Sequence, residues 1–149
     1  MKKLAMVFCL VSAPVFSCNL DDLAGRWNMI FDEFSCELTV ASNGKISKGQ
    51  CIHMPHPNPD AAVTRSAVRG RLKMLANCRV TGKLSTKTRG GDELKVSISQ
   101  SRLGSDHRYW QGLLYQDPQQ VFVDVGPLFG EEPVDVYDGK YSNFSAVAF

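Results

Sequence analysis

Cys36-Glu37-Leu38-Thr39-Val40-Ala41-Ser42-Asn43-Gly44-Lys45-Ile46-Ser47-Lys48-Gly49-Gln50-Cys51-Ile52 is the stretch on which the fold turns. Two β-prone runs flank Asn43-Gly44, a pair suited to a tight hairpin because both turn residues need positive φ. With a two-residue loop Ser42 faces Lys45, and paired residue numbers sum to 87. Cys36 and Cys51 satisfy the same sum. Directly opposed Cα atoms lie about 4.5–5.5 Å apart, within reach of a disulfide. A bulge would spoil this register and let Cys78 compete for Cys51. Cys36–Cys51 is thus the favoured bridge and Cys51–Cys78 the alternative.

Outward from this hairpin the chain stays β. Runs are short, turn residues are frequent, and no apolar period of 3.6 lasts beyond two turns. Glycine followed by a basic and then a large apolar residue recurs at Gly25-Arg26-Trp27, Gly44-Lys45-Ile46, Gly70-Arg71-Leu72, Gly82-Lys83-Leu84 and Gly139-Lys140-Tyr141. The spacing is irregular, as in a meander of hairpins and unlike a solenoid. Leu94, Val96 and Ile98 alternate with polar residues in a half-buried strand. Cys78 to Leu84, Arg108 to Tyr115 and Val121 to Val125 also read as strands, with Val134 to Tyr137 and Phe144 to Phe149 as closing ones. Met54 to Asp60 is a loop, since three prolines cannot serve a sheet interior. Gly126 to Pro133 reads as loop as well. Val63 to Leu75 is either a strand kinked at Gly70 or a short helix. The fold class is all-β: one small antiparallel barrel or sandwich of about eight short strands.

The segment Leu20 to Cys51, with a helical turn, Gly25-Arg26-Trp27, a second strand and an Asn-Gly turn, resembles the opening of calycin-type β-barrels: lipocalins, avidins and bacterial barrel inhibitors of metalloproteases. The resemblance implies that Trp27 lies across the closed end of the barrel with a basic residue packed over it. It covers under a quarter of the chain, and no later lipocalin motif follows. Two tryptophans, Trp27 and Trp110, are too few for an avidin-like biotin site.

Ahead of this domain stand Lys2 and Lys3, then an apolar run from Leu4 to Phe16 broken by Ser12 and Pro14. About 13 residues cannot span a bilayer that needs roughly 20. A basic start, a short apolar core and a small residue before the cut describe a secretory signal over residues 1–17, leaving one exported domain over 18–149. Val15-Phe16-Ser17-Cys18 also resembles the lipobox of bacterial lipoproteins, although Phe16 stands where a small residue is preferred. That resemblance implies a lipid on Cys18 and a membrane anchor, in the periplasm or at the outer membrane. The plainer outcome is a soluble periplasmic or secreted protein.

Without Lys2 and Lys3, the 17 basic residues of the chain become 15, against 15 acidic ones. A neutral domain has no electrostatic claim on a nucleic-acid backbone. Basic residues nevertheless gather between Arg65 and Arg89, and acidic ones between Asp117 and Asp138, the pattern of two solvated faces. Of the five cysteines, Cys9 belongs to the signal. Cys18, Cys36, Cys51 and Cys78 can form two bridges in any of three pairings, or one bridge if Cys18 carries lipid.

Little chemistry stands out. His53 and His56, close to Cys51, Met54 and Asp60, are the one tight group of borderline and soft ligands. Imidazoles suit zinc, and imidazole with thioether suits copper. An exposed polar loop is the plainer reading. Ser42-Asn43-Gly44-Lys45 has the serine–lysine spacing of penicillin-binding enzymes, but that pattern needs a helical turn and Asn-Gly makes a hairpin. His107 beside Asp106 has no nucleophile fixed near it. Tyr109 and Trp110 face opposite sides of a strand, so one is core and the other a candidate ligand-binding aromatic. No cofactor is implied. The expectation is a non-catalytic, exported binding module of the cell envelope, probing a membrane, an envelope protein or a small ligand. The alternatives are a calycin-type ligand carrier or protease inhibitor and a metal-binding periplasmic protein.

Overall fold

The computed structural model describes residues 17–54, 65–88, 91–124, 131–137 and 139–149, with the backbone alone over 119–137. The expected signal and His56 lie outside the described residues. Eleven strands follow a 3₁₀ turn at Leu20–Leu23: β1 (Gly25–Phe31), β2 (Phe34–Val40), β3 (Ile46–His53), β4 (Arg65–Ala67), β5 (Arg69–Leu75), β6 (Arg79–Lys87), β7 (Glu93–Leu103), β8 (Tyr109–Gln116), β9 (Gln119–Asp124), β10 (Glu131–Tyr137) and β11 (Lys140–Ala148). Nine form one antiparallel sheet in the order β4-β3-β2-β1-β11-β8-β7-β6-β5, and β9 and β10 pair separately as a hairpin.

The two ends of that order are neighbours in sequence, and this nearly closes the sheet into a barrel. Arg65 to Leu75 is extended chain broken at Val68. Its first part pairs with β3 and its second with β6. Three contacts fasten the seam: Val68 N–H donates to Gly49 O at 2.9 Å, Leu72 N–H donates to Gly44 O at 2.8 Å, and Lys45 bridges Arg71. The kink falls at Val68 rather than Gly70, because Val68 turns its backbone bond toward β3 and buries its side chain. Gly44 has φ +78, and a Cβ there would lie 2.1 Å from Leu72 O. Only glycine lets the hairpin tip approach β5 so closely.

Alternation fills the interior. Trp27, Met29 and Phe31 of β1 point inward, as do Cys36, Leu38 and Val40 of β2, Leu94, Val96 and Ile98 of β7, and Trp110 and Leu114 of β8. Trp27 closes one end, its indole N–H donating to Leu23 O at 2.8 Å, and it meets Trp110 edge to face at 6.1 Å. Among the described residues, the cation–ring contact at this end is Arg26 over Phe149 at 4.2 Å.

Cys36–Cys51 forms as expected. The route to that register differs. Ala41 N–H donates to Lys45 O and Gly44 N–H to Ala41 O, so the loop has three residues, Ser42 to Gly44, and the sum near the tip is 86. The register shift next to Thr39 makes Ser47 an extra residue and restores 87 from Thr39–Lys48 onward. A longer turn and a bulge cancel.

Cys18 pairs with Cys78. This corrects the alternative Cys51–Cys78 bridge, because Cys51 is held by Cys36 across the hairpin. In this pairing the Cys18 sulfur belongs to a disulfide and not to a thioether. A further correction concerns Glu131 to Pro133, which belong to β10 and not to a loop. Proline is tolerated there because β10 has a partner on one side only, β9.

Candidate functional site

Among the described residues, the barrel interior is closely filled. The enclosed space among Met29, Phe31, Leu38, Leu84, Thr86 and Val96 is about 10 Å³, room for one water molecule at most. Trp110 is part of the fill: it is fully buried, its indole N–H donates to Ser101 Oγ at 2.8 Å, and Phe144 packs edge-on at 4.9 Å. The structure removes it from the candidate ligand contacts. Tyr109 is exposed, its hydroxyl donating to Gln111 Oε1 at 3.0 Å, and it faces Val147 across the strand pair.

His53 lies at the end of β3, stacked on Phe34 at 4.4 Å, with Nε2 3.1 Å from Glu33 Oε2. These contacts fix the ring at the barrel end away from Trp27.

The outer face of β5, β6 and β7 has a different character. Arg69, Arg71 and Lys73 of β5, Arg79, Lys83 and Lys87 of β6, and Lys95 and Arg102 of β7 all project outward and are exposed. The register sets like charges opposite one another. Lys45, Arg71 and Lys83 form one cross-strand row, and Arg79 faces Arg102. Glu93 tempers this face: Lys95 meets its carboxylate at 3.6 Å, and Lys87 stands opposite it across the β6–β7 pair. Like charges directly opposed cost a few tenths of a kcal/mol per pair, so the fold tolerates this arrangement and does not gain from it. An open concavity borders the face, along the row Ile30, Ser145, Gln111, Arg102 and Arg79.

No family model, curated protein or solved structure matches this chain. The chemistry must be read from the geometry alone.

A second cluster sits beside the capped end. His107, on the turn between β7 and β8, points Nε2 at Cys18 Sγ (3.7 Å) and Nδ1 at Asp22 Oδ1 (3.3 Å). The other oxygen of Asp22 accepts the Asn19 N–H at 2.6 Å. Sequence reasoning paired His107 with its neighbour Asp106. Asp106 instead accepts the Arg108 N–H and shapes the turn. The true partners lie more than eighty residues away, and only the barrel brings them together.

Proposed function

We propose that this protein is an exported, non-catalytic binding module of the cell envelope, and that it engages an anionic membrane surface with the outer face of β5, β6 and β7. The observation that carries this reading is a face of eight exposed cations, with Arg71 and Lys83 in one row with Lys45 and Arg79 opposite Arg102, on a closely filled barrel. A juxtamembrane Lys or Arg contributes roughly 1 kcal/mol at an anionic leaflet, so five in reach would give a strong preference for acidic headgroups. Export is supported by two disulfides, which persist in oxidising compartments. Among the described residues no helix is long and apolar enough to cross a membrane.

The filled interior speaks against the carrier alternative, since a carried ligand needs a cavity of hundreds of Å³. The deciding experiment is co-sedimentation with vesicles. Binding to vesicles containing phosphatidylglycerol, absent with phosphatidylcholine alone and lost on raising the salt, is the expected result. Equal binding to both lipids, or none to either, refutes the reading. Intact mass of the protein from its native cell tests export: the chain from Cys18, lighter by four hydrogens, is expected. A mass raised by acyl groups would show that Cys18 is lipidated instead of bridged.

A further inference from the structure

We propose that Cys18, Cys78 and His107 form a zinc site that the Cys18–Cys78 disulfide keeps closed and a two-electron reduction opens, with Asp22 as the carboxylate that positions the imidazole. One of the ligand distances is already in place. Tetrahedral zinc with Zn–S near 2.3 Å and Zn–N near 2.0–2.1 Å places sulfur and nitrogen about 3.6 Å apart, and Cys18 Sγ lies 3.7 Å from His107 Nε2. The opposite ring nitrogen faces Asp22 Oδ1, the carboxylate–histidine arrangement that fixes tautomer and ring orientation at zinc centres. Asp22 is itself held by the Asn19 N–H.

The backbone is committed to this arrangement. Among the described residues, four that are not glycine have positive φ, and three of them are Asn77, Cys78 and His107. Such conformations cost of order 1–3 kcal/mol each and collect at functional sites. A structural staple needs two sulfurs. It needs neither an imidazole aimed at one of them nor a carboxylate behind that imidazole. Cys18 is half-buried and His107 partly exposed, which leaves solvent access for a fourth ligand, as open zinc sites require.

The chemistry balances. A dithiol reductant supplies two electrons and two protons and closes to its own disulfide, while the Cys18–Cys78 bond breaks to two thiols. Zn²⁺ then displaces both thiol protons to solvent and takes the Nε2 lone pair of neutral His107, whose Nδ1 proton stays on the Asp22 hydrogen bond. Two thiolates at tetrahedral zinc sit about 3.8 Å apart, a separation that side-chain rotation about the two Cβ atoms can supply.

The test is zinc titration of the full exported chain against a chromophoric chelator, oxidised and after reduction with a phosphine, with tryptophan emission as the check of fold. One equivalent bound below micromolar zinc in the reduced form, and none in the oxidised form, is expected. His107→Gln should weaken binding at least 30-fold and Asp22→Asn about 10-fold. The Cys36→Ala/Cys51→Ala variant, which keeps only the second bridge, should behave like wild type. Cobalt in place of zinc should give a thiolate charge-transfer band that His107→Gln shifts. Equal zinc affinity with and without His107, no binding after reduction, or native emission lost on reduction and not restored by zinc would each overturn the site.

Discussion

Thr86 buries a hydroxyl that has no hydrogen-bond partner among the described residues. It faces the small interior space with Met29, Phe31 and Val96. An unsatisfied buried hydroxyl costs about 1–3 kcal/mol, and valine has nearly the same shape. Thr86→Val is expected to raise stability by about 1 kcal/mol, read as a higher urea midpoint with an unchanged slope. Trp110→Phe should act in the other direction. It removes the bond to Ser101 Oγ and leaves a void among Trp27 and Phe144, together about 2 kcal/mol. An unchanged midpoint would mean that the core relaxes around the smaller ring. Which of Tyr109 and Trp110 faces inward follows from strand alternation once the barrel is known, and the alternation itself was plain in the sequence. The meeting of His107 with Cys18 and Asp22 was not, because no local pattern encodes a contact across the whole chain.

Between elements, the hairpin Cys36 to Cys51 shows why a correct register can rest on incomplete reasoning. The Asn-Gly signal gave the turn its place, and Asn43 Oδ1 indeed accepts the Lys45 N–H at 3.0 Å. The third loop residue and the bulged Ser47 leave no local signature, yet they offset each other, so the cysteines still oppose. The two bridges differ in what they constrain. Cys36–Cys51 spans 15 residues and Cys18–Cys78 spans 60. Restricting the unfolded chain is worth about 3 kcal/mol for the shorter loop and about 4 kcal/mol for the longer. Cys18→Ala/Cys78→Ala should therefore lower stability by roughly 1 kcal/mol more than Cys36→Ala/Cys51→Ala, as measured by urea unfolding. A larger loss from the short bridge would locate the added stability in the barrel wall and not in the tether of the Leu20–Leu23 turn. The first three residues of β10 were hidden because Pro133 signals a loop, and only pairing with β9 on one side lets them serve as strand.

At the scale of the molecule, charge is arranged against local stability. The neutral total concealed this, although the clustering from Arg65 to Arg89 was visible along the chain. What could not be read was that β5 and β6 would set Arg71 opposite Lys83, with Lys45 beyond them. Removing that repulsion separates folding from binding. Arg71→Gln/Lys83→Gln deletes two cations, so affinity for vesicles containing phosphatidylglycerol should fall about 30-fold, equivalent to about 2 kcal/mol. The same substitutions relieve opposed like charges and should raise stability by a few tenths of a kcal/mol. Arg79→Gln, opposite Arg102, should move both quantities in the same directions but less far. A face selected only for solubility would show the stability gain with no loss of vesicle binding. Opposite signs in the two measurements, seen in one protein at one salt concentration, are what a surface held under strain for an anionic partner must give.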